Sequence, residues 1–130
     1  MPYSREEQYQ KFLLPLFLLM QLSIRGYNKY LKNKIYLHAL TIKSANTRIY
    51  NLIVSNLAYV PEELQDDILN LLNHYDIWFI QFNDYEMKIK PALSDNFIFT
   101  HLDDQCAFPR LSEQKIFKFY HEFKKEIQLN

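Results

Sequence analysis

The densest set of chemistry-bearing side chains is Asp95, His101, Asp103, Asp104 and Cys106. Carboxylates, an imidazole and a thiol so close in sequence could in principle hold a metal ion. The set mixes hard oxygen donors with a soft thiolate, however, and follows no established ligand spacing. A solvated loop with a capping aspartate is the expected reading. The other histidines are His38, His74 and His121. No two histidines stand four residues apart as in a helical zinc site, and no second cysteine exists. Cys106 could pair with His101 or His121 as a nucleophile and its base, but nothing marks a third, orienting residue. The single glycine, Gly26, excludes a glycine-rich phosphate loop. None of Arg5, Arg25, Arg48 and Arg110 precedes a histidine by the four to six intervening residues of one helical ribonuclease signature. The expectation is a protein that is not an enzyme, with no metal and no cofactor.

The charges are more informative. The formal net charge is zero, with 15 basic and 15 acidic residues. From Gln8 to Pro61 stand Lys11, Arg25, Lys29, Lys32, Lys34, Lys43 and Arg48, with no Asp or Glu among them. From Ile49 to Met87 stand Glu62, Glu63, Asp66, Asp67, Asp76, Asp84 and Glu86, with no Lys or Arg. A solvated helix held by i,i+4 ion pairs would mix the signs within itself. Two explanations compete. Either the basic and acidic helices pack together and their charges pair, or one patch faces outward and steers a partner of opposite sign.

The acidic patch is favoured as the outward one. Glu62, Glu63, Asp66 and Asp67 crowd the first two turns of a helix, where like charges four apart repel. A basic partner would relieve that repulsion. Asp76 and Asp84 continue the sign, and Tyr75, Trp78 and Tyr85 nearby are of the types that anchor protein interfaces. The expected partner-binding set is therefore Glu62, Glu63, Asp66, Asp67, Tyr75, Asp76, Trp78, Asp84 and Tyr85. The alternative is a nucleic-acid-binding or regulatory protein using the basic Arg25–Arg48 face, where Tyr27, Tyr30 and Tyr36 alternate with cations. Nucleic acid is the weaker expectation, because such modules usually carry net positive charge. A subunit of a larger complex, its exposed Phe and Tyr covered by a neighbour, is the remaining alternative.

The elements that would position these residues read as helices. The chain has 130 residues, 48% of them hydrophobic and 16% aromatic, enough for one folded domain with its own core. One glycine, no Asn-Gly or Asp-Gly turn and sustained 3.6-residue periodicity predict an all-α single compact helical domain of four to six helices. Ser4 with Glu7 forms a capping box that opens the first helix. Pro15 should kink that helix, and Gly26 should end it. A second helix is expected over about 27–42, and a third capped by Ser44 or Asn46. Pro61-Glu62-Glu63 is a strong helix start, and Leu64, Ile68, Leu71, Leu72, Tyr75, Phe79 and Phe82 form one apolar stripe behind it. That helix should reach at least His74, and its stripe extends to Phe82 or beyond. Residues 88–110 are the least helical, although Phe97-Ile98-Phe99 could pair as a short strand. Ser112 should cap the last helix.

The apolar run Phe12–Leu22 has eleven residues and contains Pro15. It is short of the roughly 20 needed to span a bilayer and lacks the flanks of a secretory signal. With a lone cysteine, the expected location is the cytoplasm, with no membrane partner. In general character the chain resembles the small immunity proteins of bacterial toxin systems, a resemblance of type that covers no specific residue pattern. It implies a non-catalytic toxin inhibitor that binds and blocks a basic toxin domain such as a nuclease. Richness in Ile, Lys, Asn, Tyr and Phe with little Gly suggests an AT-rich bacterial coding region.

Overall fold

The computed structural model describes residues 3–99 and 108–129. The fold is all-α, and among the described residues no strand forms. His101, Asp103, Asp104 and Cys106 lie outside the described residues.

The first helical rod is continuous but changes pitch. A four-residue helix α1 (Arg5–Gln8) starts at a complete capping box, with the Ser4 hydroxyl accepting from the Glu7 backbone N–H and the Glu7 carboxylate accepting from that of Ser4. A π-helical segment, Tyr9–Leu13, leads into α2 (Leu14–Lys32). The wide turn has a cause. Pro15 has no N–H to give to the carbonyl four residues back, and its ring would crowd that carbonyl, so the ladder opens by one residue. The Leu14 N–H reaches Tyr9 O instead.

Gly26 does not end the helix. It lies buried inside α2, where a methyl group would meet Thr41 Oγ1 at 3.4 Å. The glycine brings α2 close to α3 (Tyr36–Ser55). Gly26 facing Thr41 and Ser23 facing Asn46 are contacts of an antiparallel hairpin. The break between the two helices falls at residues 33–35, where no Gly or Pro occurs. It is held from outside. The first N–H groups of α3 need acceptors, and Tyr36 and Leu37 donate to the carbonyls of Asp95 and Leu93, both at 2.9 Å. Phe97 N–H returns a bond to Lys34 O at 2.8 Å. Ser44 and Asn46 sit in the middle of α3 and cap nothing.

A single 3₁₀ turn, Glu62–Leu64, follows Pro61 and runs into α4 (Gln65–Ile89), the longest helix at 25 residues. Its end is closed by Lys90 in the left-handed conformation, at φ 44°. The last helix, α5 (Arg110–Leu129), begins two residues before Ser112. Ser112 is buried and accepts a hydrogen bond from the Asn70 amide on α4, so it ties two helices together rather than capping one.

The core has two parts. The larger joins the first rod, α3, α4 and α5 through Phe12, Leu16, Ile49, Leu71, Ile116 and Tyr120. Phe17 stacks on Tyr120 with centroids 4.1 Å apart. The smaller gathers Tyr30, Ala39, Trp78, Phe82 and Phe97. Phe97-Ile98-Phe99 makes no strand, only one bridge between Asn96 and Ile35. The Tyr30 hydroxyl pins this segment, donating to Phe97 O at 2.7 Å and accepting from Phe99 N–H at 2.9 Å.

Candidate protein-binding face

Helix α4 carries seven of the nine residues expected to bind a partner, the turn just before it carries Glu62 and Glu63, and the set is divided between two faces. Tyr75 and Trp78 are corrected first. They are 2% and 6% exposed, inside the two parts of the core. The apolar stripe of α4 explains why: Tyr75 stands seven residues after Ile68, and Trp78 seven after Leu71, so both point inward. Burial also pushes the Tyr75 hydroxyl pKa far up. Neither ring is a surface anchor. Tyr85 is half-buried, packed edge-on against Phe97 at 4.9 Å.

The carboxylates also divide. Asp67 is buried and ion-paired with Lys115 of α5 at 3.1 Å. Glu63 pairs with Arg5 at 2.8 Å, which holds its carboxyl below the usual range. Asp84 pairs along its own helix with Lys88 at 2.9 Å. Asp76 is exposed, and hydrogen bonding to it raises the Tyr50 phenol. Glu62 and Asp66 are exposed and make no ion pair among the described residues. The crowding of Glu63 with Asp67 is thus relieved inside the protein, and that of Glu62 with Asp66 is not.

Among the described residues, Lys43 alone ion-pairs the basic stretch with the acidic one. It reaches Glu86 at 3.1 Å, and the Tyr36 hydroxyl donates to the same carboxylate. Sequence reasoning missed this cluster, because Tyr36, Lys43 and Glu86 are brought together only by the packing of α3 on α4. The other basic partners, Arg5, Lys88 and Lys115, come from outside the basic stretch. Arg25, Lys29, Lys32 and Lys34 near the α2–α3 turn are exposed and make no ion pair among the described residues.

The outer face of α4 holds what the sequence reading overlooked. Residues 62, 66, 69, 73, 76, 80, 83 and 87 recur at alternating steps of four and three and are all exposed. Glu62, Asp66 and Asp76 share this line with Leu69, Ile80 and Met87, which are 60%, 70% and 73% exposed. From 69 to 87 the line runs about 27 Å at ~1.5 Å per residue. The signal was available, since the same spacing that marks an inner stripe marks an outer one. Tyr75 and Trp78 lie on the inner face instead.

Compared with known proteins, the chain matches no family model, no curated protein and no solved structure. The site therefore rests on its own geometry. Among the described residues no helix is long and apolar enough to cross a membrane. Nor does any group of three or more His, Cys, Asp or Glu among them come close enough to hold a metal ion. Asp95 accepts a hydrogen bond from the Ala92 N–H at 2.7 Å, the role of a turn-capping aspartate.

Proposed function

We propose that this is a non-catalytic binding protein that presents the outer face of α4 to a basic partner protein. One observation carries the reading: three large apolar side chains and three carboxylates share one exposed helical line that has no cation on it. Carboxylates of one sign steer association, and apolar side chains that lose water on contact slow dissociation. The resemblance of type to immunity proteins supplies the finer reading, an inhibitor that covers the basic active-site cleft of a bacterial toxin domain such as a nuclease. It would work in the cytoplasm, where its single cysteine stays reduced.

The test is binding kinetics against the purified product of the neighbouring gene, whatever it encodes, at two salt concentrations. Glu62→Lys with Asp66→Lys should slow association and flatten its salt dependence. Ile80→Ala with Met87→Ala should speed dissociation about tenfold or more, as for interface residues worth more than about 1.4 kcal/mol. Unchanged kinetics in both double variants would remove the reading.

A second reading has its own observation. Arg25, Lys29, Lys32 and Lys34 lack ion pairs among the described residues, beside a half-exposed Tyr27. That surface suits nucleic acid. RNA binding with a steep salt slope, lost on replacing these cations, would favour it.

A further inference from the structure

A cavity of about 600 Å³ lies where α2, α3, α4 and the start of α5 meet. It falls between the two parts of the core, with Met20 and Tyr75 of one part and Trp78 of the other in its wall. Its size is that of a small-molecule site, roughly 300–1,000 Å³, and bundles form such sites between helices. Helix α4 faces it with its inner side, so it is separate from the outer face proposed to bind protein.

The lining is an aromatic wall with polar groups. Tyr27, Trp78 and Phe108 line it with aromatic rings. Asn46 is 5% exposed, and its Oδ1 accepts from the Ser23 hydroxyl at 2.9 Å. Its Nδ2 donates no hydrogen bond among the described residues, so both amide hydrogens remain for an acceptor. Glu113 is half-buried and makes no ion pair among the described residues. Burial raises its carboxyl pKa, and Arg110, which lines the same cavity one turn earlier with its side chain largely in solvent, only partly opposes this. A half-buried carboxylate beside aromatic rings favours a cation, which can gain from both.

We infer that this cavity binds a small aromatic amine, its ring among Tyr27, Trp78 and Phe108, its ammonium against Glu113, and an acceptor atom on the ring against Asn46. Tyramine has these three features. Phenethylamine lacks the ring acceptor, and para-ethylphenol lacks the ammonium.

Trp78 is the only tryptophan, so its emission reports the cavity directly. Titration with the three probes, followed by calorimetry and by Trp78 emission excited where the probes do not absorb, tests the inference. Tyramine should bind saturably and shift the emission, with para-ethylphenol about tenfold weaker or more, as expected for a charge-assisted hydrogen bond. Phenethylamine should fall between them. Glu113→Gln, with its helical circular dichroism checked, should bring tyramine down to the para-ethylphenol level and leave para-ethylphenol unchanged. Three results would overturn the inference: no saturable binding of any probe at millimolar concentration, heat without a change in Trp78 emission, or equal affinities for tyramine and para-ethylphenol.

Discussion

Glu86 shows how single groups set the pH response. Burial alone would raise its carboxyl pKa, but the Tyr36 hydroxyl and the Lys43 ammonium outweigh burial and hold it below the ordinary value. The same hydrogen bond pushes the Tyr36 phenol up to about 12. A carboxyl lowered on folding contributes stability above its unfolded pKa of about 4.3, and that contribution is lost as pH falls through the lower folded value. Glu63, lowered by Arg5, acts in the same sense. For Tyr36 the sign reverses: its contribution is present below about pH 10 and lost as pH rises toward its folded value. Glu86→Gln should cost about 1 kcal/mol at pH 7 and less at pH 3, read from urea unfolding at the two pH values. An equal loss at both would show that the carboxylate charge plays no part. Trp78 gives a second residue-scale expectation. As a core ring, its replacement by Ala should cost about 3–5 kcal/mol in the same unfolding measurement. A cost below about 1 kcal/mol would instead make it a surface anchor.

At the scale of the elements, each long helix has one face committed to the core, and the close contact of α2 with α3 depends on Gly26. Glycine inside a helix is less favourable than alanine by about 0.5–1 kcal/mol. The 3.4 Å approach to Thr41 Oγ1 leaves just enough room for a methyl group. Gly26→Ala should therefore keep or raise the melting temperature, while Gly26→Leu, which must push α3 away, should lower it clearly. Equal melting temperatures for the two variants would mean that the interhelical contact is loose. The sequence marked several elements correctly for physical reasons that are local. The Ser4–Glu7 box and the Pro61-Glu62-Glu63 start work through groups within one turn of each other. The boundaries it missed depend on distant groups. The α2–α3 break needs Leu93 and Asp95 to receive the first N–H groups of α3, and Ser112 bonds to Asn70 instead of to its own helix. A glycine with room for its contact partner stays helical, so Gly26 is an approach point and not an end.

Across the whole molecule the charge separation is partly internal and partly outward. Asp67, Glu63, Asp84 and Glu86 are paired within the fold, whereas Glu62 and Asp66 at one place and Arg25 to Lys34 at another are left to solvent. Opposite patches on a chain of zero net charge favour self-association when repulsion is least. Solubility should be lowest near pH 7, close to the calculated isoelectric point of 6.9, and rise on moving about two pH units either way. Light scattering across pH checks this, and flat scattering would mean that the patches do not meet between molecules. What the sequence determined alone was the helical class, the inner stripe of α4 and the segregation of charge, because each is a matter of residue type and spacing along one helix. Which carboxylates are free, which aromatic rings are buried and where α2 gives way to α3 were decided by the tertiary structure. Those outcomes turn on which side chains from other helices arrive within hydrogen-bonding or packing distance, and spacing along one segment carries no information about its neighbours.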